Sequence, residues 1–458
     1  MPSSPDTARR HAPIELSPDE FRRLGHDLVD RLADLFATLP QRPVTRGLTP
    51  SEVRGQLGGG ALPARGSDAG PLLDRASRLL FDASLFNGHP RFWGFITSPP
   101  APLGVLGDLL AAGVNPNVGG FVLAPMATEI ERQALRWIAE LIGYSADGGG
   151  IMVSGGNVAN MVAFLAARRA RAPWDIRAQG LRAGPGQLTV YTSRETHTWI
   201  QKAADLFGLG LDAIRWIPTD EAQRMRLDAL EDAIRRDHDA GHVPFLVIGT
   251  AGTVSTGAID PLRGIADVCR RHELWFHVDG AYGAPAAALP EASDDLKALA
   301  LADSVAVDPH KWLYAPLEAG AVLVRDARHL VDAFSFHPEY YLFATGDGED
   351  QPTYFHELGI QNSRGFRALK VWLTLQQVGR EGYQQMIRDD IALATAMHEA
   401  VAAHAELEPL TLGLSICTFR YVPPDKRDDE PYLNRLNTEL VLRVQACGEA
   451  FVSNAVVG

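Results

Sequence analysis

Cysteine is scarce in this chain: Cys269, Cys417 and Cys447 are the only three among 458 residues. They are too few and too far apart for a disulfide framework or a Cys-rich metal site, and they suit a reducing compartment. Zinc hydrolase spacing is missing too. His272-Glu273, His356-Glu357 and His398-Glu399 would each need a second histidine four places after the first, where Phe276, Ile360 and Ala402 stand. No uninterrupted apolar run approaches the ~20 residues that cross a bilayer. The opening MPSSPDTARRHAPIELSPDE carries no apolar signal-peptide core. Positive charge is also short, with 43 Lys and Arg against 56 Asp and Glu and a formal net charge of −13. That balance argues against nucleic acid or an anionic membrane as partner. A cytoplasmic protein without a metal site is expected.

What is present is core-forming material: 46% of residues are apolar and 22% charged, as in ordinary globular chains. Ser17-Pro18-Asp19-Glu20 reads as a capped helix start, and Phe21, Leu24, Leu28, Leu32 and Phe36 continue it as one apolar stripe. Arg54 to Gly70, rich in Gly, Pro and Ala, reads as a linker. Further on, strands are expected at Ile151–Val153, Leu188–Tyr191, Ala213–Ile217, Phe245–Gly249, Leu274–Val278, Ser304–Val307 and Ala321–Val324. Helical stretches such as Val158–Arg171, Leu227–Asp237 and Pro261–Arg271 separate them. The alternation predicts an α/β domain with a largely parallel sheet, helices on both faces. Phe343–Pro352 is a polar, Gly-rich candidate for a mobile loop. The run from Glu449 to Gly458 reads as an edge strand without its return partner, as a truncated chain would end.

In open α/β sheets ligands bind beyond the carboxyl ends of the strands. Polar residues gather there: Ser154-Gly155-Gly156-Asn157, Thr192 to His197, Thr250 to Thr253, Asp279-Gly-Ala281-Tyr282 and Asp308-Pro-His310-Lys311-Trp312. Singly, each has an ordinary reading as a turn, a cap or a surface lysine. Together they supply what pyridoxal 5′-phosphate needs. Gly155–Asn157 offers backbone donors for a phosphate, and Asp279 a buried carboxylate for a pyridinium nitrogen. His197 offers a ring to stack, and Lys311 an amine that can bond the cofactor.

The whole set resembles the group II pyridoxal-phosphate-dependent decarboxylases of the aromatic-L-amino-acid decarboxylase type. The resemblance rests on NGHPRF (87–92), TEIE (128–131), SGGN (154–157), Thr196-His197, TAGTVSTGAIDP (250–261), HVDGAY (277–282), DPHKW (308–312) and FRALKVW (366–372), in the family's order. It implies the aspartate-aminotransferase-like fold of type I, with an N-terminal helical segment and linker over 1–86. A large cofactor domain over 87–375 and a smaller C-terminal α/β domain over 376–458 would follow. It also implies a homodimer. By position, Gly155, Gly156 and Asn157 would hold the phosphate, and His197, Thr250 and Ala281 would line the cofactor. Asp279 would face its ring nitrogen, Lys311 would carry it, and Asp308 and His310 would flank that lysine.

Substrate contacts would come from Phe95, Ile96, Thr97, Phe121 and Phe355, an apolar set pointing to an aromatic amino acid. Counting back from Phe366 puts Phe355 where family decarboxylases carry a proton-donating loop tyrosine, with Tyr354 beside it. Tyr354 in that role implies an amine product. Phe355 there implies oxidative deamination to an aldehyde, as in relatives with phenylalanine at that place. A non-aromatic substrate, an aminotransferase and an inactive binding protein on the same fold are the other readings. Asn157, Asp308 and Gly365 depart from the Ser, Asn and Arg of many relatives.

Overall fold

The strands form where β-branched and aromatic residues run together, and burial along them is continuous rather than alternating. In the computed structural model, which describes residues 12–336 and 351–457, they are β1 (Gly149–Val153), β2 (Leu188–Ser193), β3 (Ile214–Ile217), β4 (Val243–Thr250), β5 (Trp275–Asp279), β6 (Ser304–Val307) and β7 (Gly320–Val324). They make one sheet in the order β1-β7-β6-β5-β4-β2-β3. Strand β7 is antiparallel to both its neighbours, and every other pairing is parallel. Every residue of β2, β5 and β6 is buried, as expected of strands covered on both faces.

The chain divides into two compact units. One contains Ile96–Leu433 and therefore the whole sheet. Its helix Gly156–Arg171 crosses β4 to β7 and buries Ala159, Ala163, Ala166 and Ala167, small side chains that allow close approach. A small antiparallel pair, β8 (Leu407–Gly413) and β9 (Ile416–Tyr421), packs against the long helix Ala368–Ala402. That helix is interrupted at Gly379, whose φ of +66° lies outside helical geometry.

At the sheet's β1 edge, Met152 would leave a bare N–H and C=O. Glu131 Oε1 accepts the N–H at 3.0 Å, and Arg364 donates to the C=O at 2.6 Å. Arg364 also bonds Glu131 and Val118 O, and its guanidinium lies 4.7 Å from the centre of the Phe355 ring. A sheet edge is thus closed by a buried ion pair.

The other unit holds the described residues through Phe95 together with Asn434–Asn454. Its helix Pro18–Thr38 begins as expected, Ser17 Oγ accepting from Glu20 N at 3.2 Å. Of the anticipated stripe, Leu24 is buried, Leu28 and Leu32 are half-buried, and Phe21 and Phe36 are exposed.

Three expectations need correction. The linker is shorter than Arg54 to Gly70, because a capping box of Thr49 and Glu52 starts a helix over Pro50–Leu57 and another begins at Ala69. Ala213 lies in a 3-10 turn ahead of β3. The C-terminal run makes one bridge among the described residues, Phe451 to Phe92, with Arg91 in a turn on one side and Phe95 at a φ of +54° on the other. Most of Phe343–Pro352 lies outside the described residues.

Candidate active site

A cavity of about 420 Å³ opens beyond the carboxyl ends of β1, β4, β5 and β6. Its phosphate-sized corner is built by the turn after β1. Gly155 has a φ of +156°, and a Cβ there would meet the His310 ring at 3.2 Å. A Cβ on Gly156 would lie 2.8 Å from Asp308 Oδ2 and 3.1 Å from Ala281 Cβ, so only glycine fits. The helix starting at Gly156 offers its unbonded first-turn N–H groups at the same corner.

Asp279 ends β5, where the sheet runs out and its carboxylate reaches the cavity floor. Trp199 Nε1 donates to its Oδ2 at 2.8 Å and Ala281 N to its Oδ1 at 3.2 Å. Behind it lies a buried chain whose polarity is fixed at one end, since an indole N–H only donates. Trp275 Nε1 donates to Ser304 Oγ at 2.9 Å, leaving that hydroxyl to donate to His277 Nδ1 at 2.8 Å. His277 Nε2 then carries the proton and donates to Asn160 Oδ1 at 2.7 Å. Burial pushes the His277 pKa down to about 4, so the ring is neutral.

Lys311 follows β6. Its Nζ is 3.1 Å from Asp308 Oδ2, and its side chain is 24% exposed towards the cavity. His310 Nε2 stands 3.6 Å from the same oxygen, and its Nδ1 accepts Ala319 N–H at 3.1 Å. Burial raises the Asp308 pKa against the lowering effect of Lys311 and His310, and lowers that of His310. His197 is an exposed part of the lining. Its Nδ1 accepts Trp199 N–H at 3.3 Å, and partial desolvation lowers its pKa.

All ten residues expected at a cofactor line this one cavity: Gly155, Gly156, Asn157, His197, Thr250, Asp279, Ala281, Asp308, His310 and Lys311. Of the five expected at the substrate, only Ile96 does. Phe95 belongs to the other unit, its ring 5.6 Å from that of Phe451. Thr97 is exposed and Phe121 half-buried, both off the lining. Tyr354 packs beside Gly120, and Phe355 is 1% exposed beneath Arg364. Asn160, Val254 and Leu317 line the cavity without having been singled out. Asn160 could have been found, standing one helical turn after Gly156 on the same face.

Residues 61–422 match the family model for the pyridoxal-dependent decarboxylase conserved domain. The chain belongs to the pyridoxal-dependent decarboxylases. This decarboxylase is 34% identical to an aromatic-L-amino-acid decarboxylase of Bacillus atrophaeus, over 96% of this chain and 89% of the relative. It is also 34% identical to a tyrosine decarboxylase of Oryza sativa subsp. japonica, over 100% and 87% of the two chains. The structure of Oryza sativa TDC with PLP and tryptamine superposes with a TM-score of 0.90 at 28% identity, covering 98% of this chain and 93% of that one. Type I architecture, a decarboxylase's enzymatic activity and pyridoxal phosphate as cofactor follow.

The residues present fit that cofactor. Two buried oxygens on residues of the lining, Thr250 Oγ1 and Asp308 Oδ1, have no hydrogen-bond partner among the described residues. Buried polar atoms are seldom left so unless a bound group or water satisfies them. The glycine corner after β1 and the carboxylate at the carboxyl end of β5 suit a phosphate and a pyridine nitrogen. Among the described residues, no helix is long and apolar enough to cross a membrane.

Proposed function

We propose that this decarboxylase removes the α-carboxyl group of an aromatic L-amino acid, taking up one proton and releasing CO₂ and the amine. The observation that carries the reading is one cavity holding Lys311, Asp279, His197 and the N-terminus of helix Gly156–Arg171. Pyridoxal phosphate would supply an electron sink for the pair left behind when the carboxyl group departs.

The chain's own groups have separable tasks. The first-turn amides at Gly156 and Asn157 bind phosphate. Asp279, oriented by the Trp199 and Ala281 N–H groups, would pair with the protonated ring nitrogen of the cofactor. His197 presents an uncharged imidazole face at neutral pH, because desolvation lowers its pKa. Lys311 Nζ is the amine that bonds the cofactor, and Asp308 Oδ2 at 3.1 Å steadies its protons.

An aromatic side chain is supported by the names of the similar proteins and by Ile96, Val158, Val254, Tyr282 and Leu317 on the lining. No arginine stands among the described lining residues to receive an acidic side chain. Burial of Phe355 under Arg364 supports the amine over the aldehyde, since that ring is committed to the core. The test is purified enzyme with pyridoxal phosphate and a panel of L-amino acids, measuring CO₂, amine, aldehyde and peroxide. Amine from tyrosine, tryptophan or phenylalanine, without peroxide, is expected. Stoichiometric aldehyde and peroxide, or turnover of acidic substrates alone, would overturn the reading.

A homodimer is part of the proposal. Helix Pro102–Val114 exposes Leu106, Leu109, Leu110 and Val114, a face apolar enough to seat a second copy. Light scattering should give a dimer, and an active monomer would refute it. The free cysteines support a cytoplasmic location.

A further inference from the structure

Beyond its Gly379 interruption, the long helix Ala368–Ala402 presents Tyr383, Ile387 and Asp390 at spacings of four and three, one face of a helix. Two of these side chains grip the three residues that follow Lys311. Tyr383 Oη donates to Leu313 O at 3.1 Å. Asp390 Oδ2 accepts from Trp312 Nε1 and from Tyr314 Oη, each at 2.7 Å. Ile387, fully buried, lies between them.

The far side of Trp312 is fixed as well. Its ring stacks on Tyr282 with centroids 4.9 Å apart and planes 23° from parallel. Tyr282 lines the cavity, bonds Ser415 Oγ through its hydroxyl and accepts Ser415 N–H at 2.9 Å. Ser415 sits in the turn between β8 and β9, so the small sheet buttresses the stack from behind. Tyr314 has a φ of +59°, a conformation that non-glycine residues hold only when their surroundings impose it. Its hydroxyl bond to Asp390 and its carbonyl bond from Ala101 N at 2.8 Å do so. Burial, then the bond to Asp390, holds the Tyr314 phenol above the ordinary tyrosine range, so it remains a donor.

We propose that Asp390 is a positioning residue: by accepting from Trp312 and Tyr314 together it fixes the segment carrying Lys311 and so the direction in which Nζ enters the cavity. A carboxylate suits the task because one oxygen accepts two donors, and charge strengthens both bonds. Among the described residues Lys311 has Asp308 alone as an ionic partner, and the residues after it are the ones held by the long helix. The inference rests on the reading of Lys311 as the lysine that bonds the cofactor.

The test uses full-length protein loaded with pyridoxal phosphate, comparing wild type with Asp390→Ala, Asp390→Asn, Trp312→Phe, Tyr314→Phe and the double variant Asp390→Ala/Trp312→Phe. Three readouts are taken: the rate of cofactor release, the pH midpoint of the visible absorbance of lysine-bound cofactor, and kcat against KM. Asp390→Ala should release cofactor roughly tenfold faster, as loss of a charge-assisted bond would produce, and should displace the pH midpoint. Asp390→Asn, which keeps an acceptor oxygen, should lie between it and wild type. The effect should fall on kcat more than on KM. Trp312→Phe keeps the stack and loses only the N–H, and its effect should not add to that of Asp390→Ala. Wild-type release, midpoint and kcat in the folded variants would overturn the proposal, as would additive effects. If Asp390→Ala does not fold, Asp390→Asn against Trp312→Phe decides by the same criteria. Failure of wild type to bond the cofactor at Lys311 would refute the reading of the site instead.

Discussion

Glu131 and Asp308 are both buried carboxylates with a cationic partner, Arg364 at 2.5 Å and Lys311 at 3.1 Å. Both pairs leave an oxygen without a hydrogen bond among the described residues, Oε2 in one and Oδ1 in the other. What separates them is the cation. Arg364 is 1% exposed, cannot lose its proton, and is tied besides to Met152 O and Val118 O. Lys311 opens on the cavity, and its amine can lose a proton and react. An orphaned buried atom is therefore no mark of function by itself. One pair closes a sheet edge, and the other, on the proposed role of Lys311, is broken when that lysine bonds the cofactor.

The strongest way to break this comparison is Lys311→Ala. Cofactor should no longer be fixed to the chain by borohydride, and decarboxylation should fall by roughly 10⁴-fold or more, as when a covalent anchor is removed. The urea midpoint should hardly move, because Asp308 can take a proton when its partner goes. Arg364→Met should do the reverse. It strands Glu131 in the core and should cost about 3–5 kcal/mol of stability, while folded protein still binds cofactor. Urea titration with cofactor absorbance separates the two, and a cofactor-free but fully stable Arg364→Met would end the distinction.

The Lys311–Asp308 pair was legible in the sequence and the Glu131–Arg364 pair was not, for a physical reason. Lys311 and Asp308 are three residues apart behind one strand, and an α/β sheet brings such strand-end clusters together whatever lies between them. Glu131 and Arg364 are 233 residues apart, and nothing local in either segment announces the other. Apolar positions are read less readily. Phe95, Phe121 and Phe355 have the composition of a pocket wall, but a phenylalanine reads alike whether it packs in a core or faces a ligand. A polar strand end also reads singly as a turn or a cap, but a cluster repeated on successive strands does not. All ten expected cofactor positions line the cavity, while of the expected substrate positions Ile96 does.

His277 extends the structural side of the comparison to a group that titrates. It is buried and neutral, with a pKa of about 4 against 6.5 for the free side chain. Below pH 6.5 the unfolded chain takes up a proton that the folded chain refuses. Its contribution is therefore intact above pH 6.5 and lost as pH falls towards 4. Asp260, raised by burial to about 6, acts with the opposite sign and loses stability as pH rises through the same interval. Comparing His277→Gln with wild type cancels the aspartate's part. The difference between their stabilities should change by up to about 3 kcal/mol between pH 7 and pH 4. Equal slopes in urea titrations would show that His277 is not held neutral.

The smallest effect discriminates most finely, because it asks the two carboxylates the same question. Asp308→Asn and Glu131→Gln each keep an oxygen and drop a charge. Burial raises the Asp308 carboxyl above its ordinary range, so the folded chain binds that proton more tightly than the unfolded chain does. Stability then declines as pH rises from the ordinary carboxyl value through the folded one, and the penalty persists at neutral pH. Asp308→Asn removes it and, in protein without cofactor, should leave stability unchanged or raise it by up to about 1 kcal/mol at pH 7. Glu131→Gln keeps an oxygen for Met152 N–H and Arg364 but leaves the buried guanidinium without a countercharge, and should destabilise. The sign is what matters. Urea midpoints for both variants at pH 7 and pH 5 should show opposite displacements at neutral pH, with the Asp308→Asn gain shrinking at the lower pH. Two losses of equal size would mean that Asp308 is as structural as Glu131, and that Lys311 is not poised in the way its exposure implies.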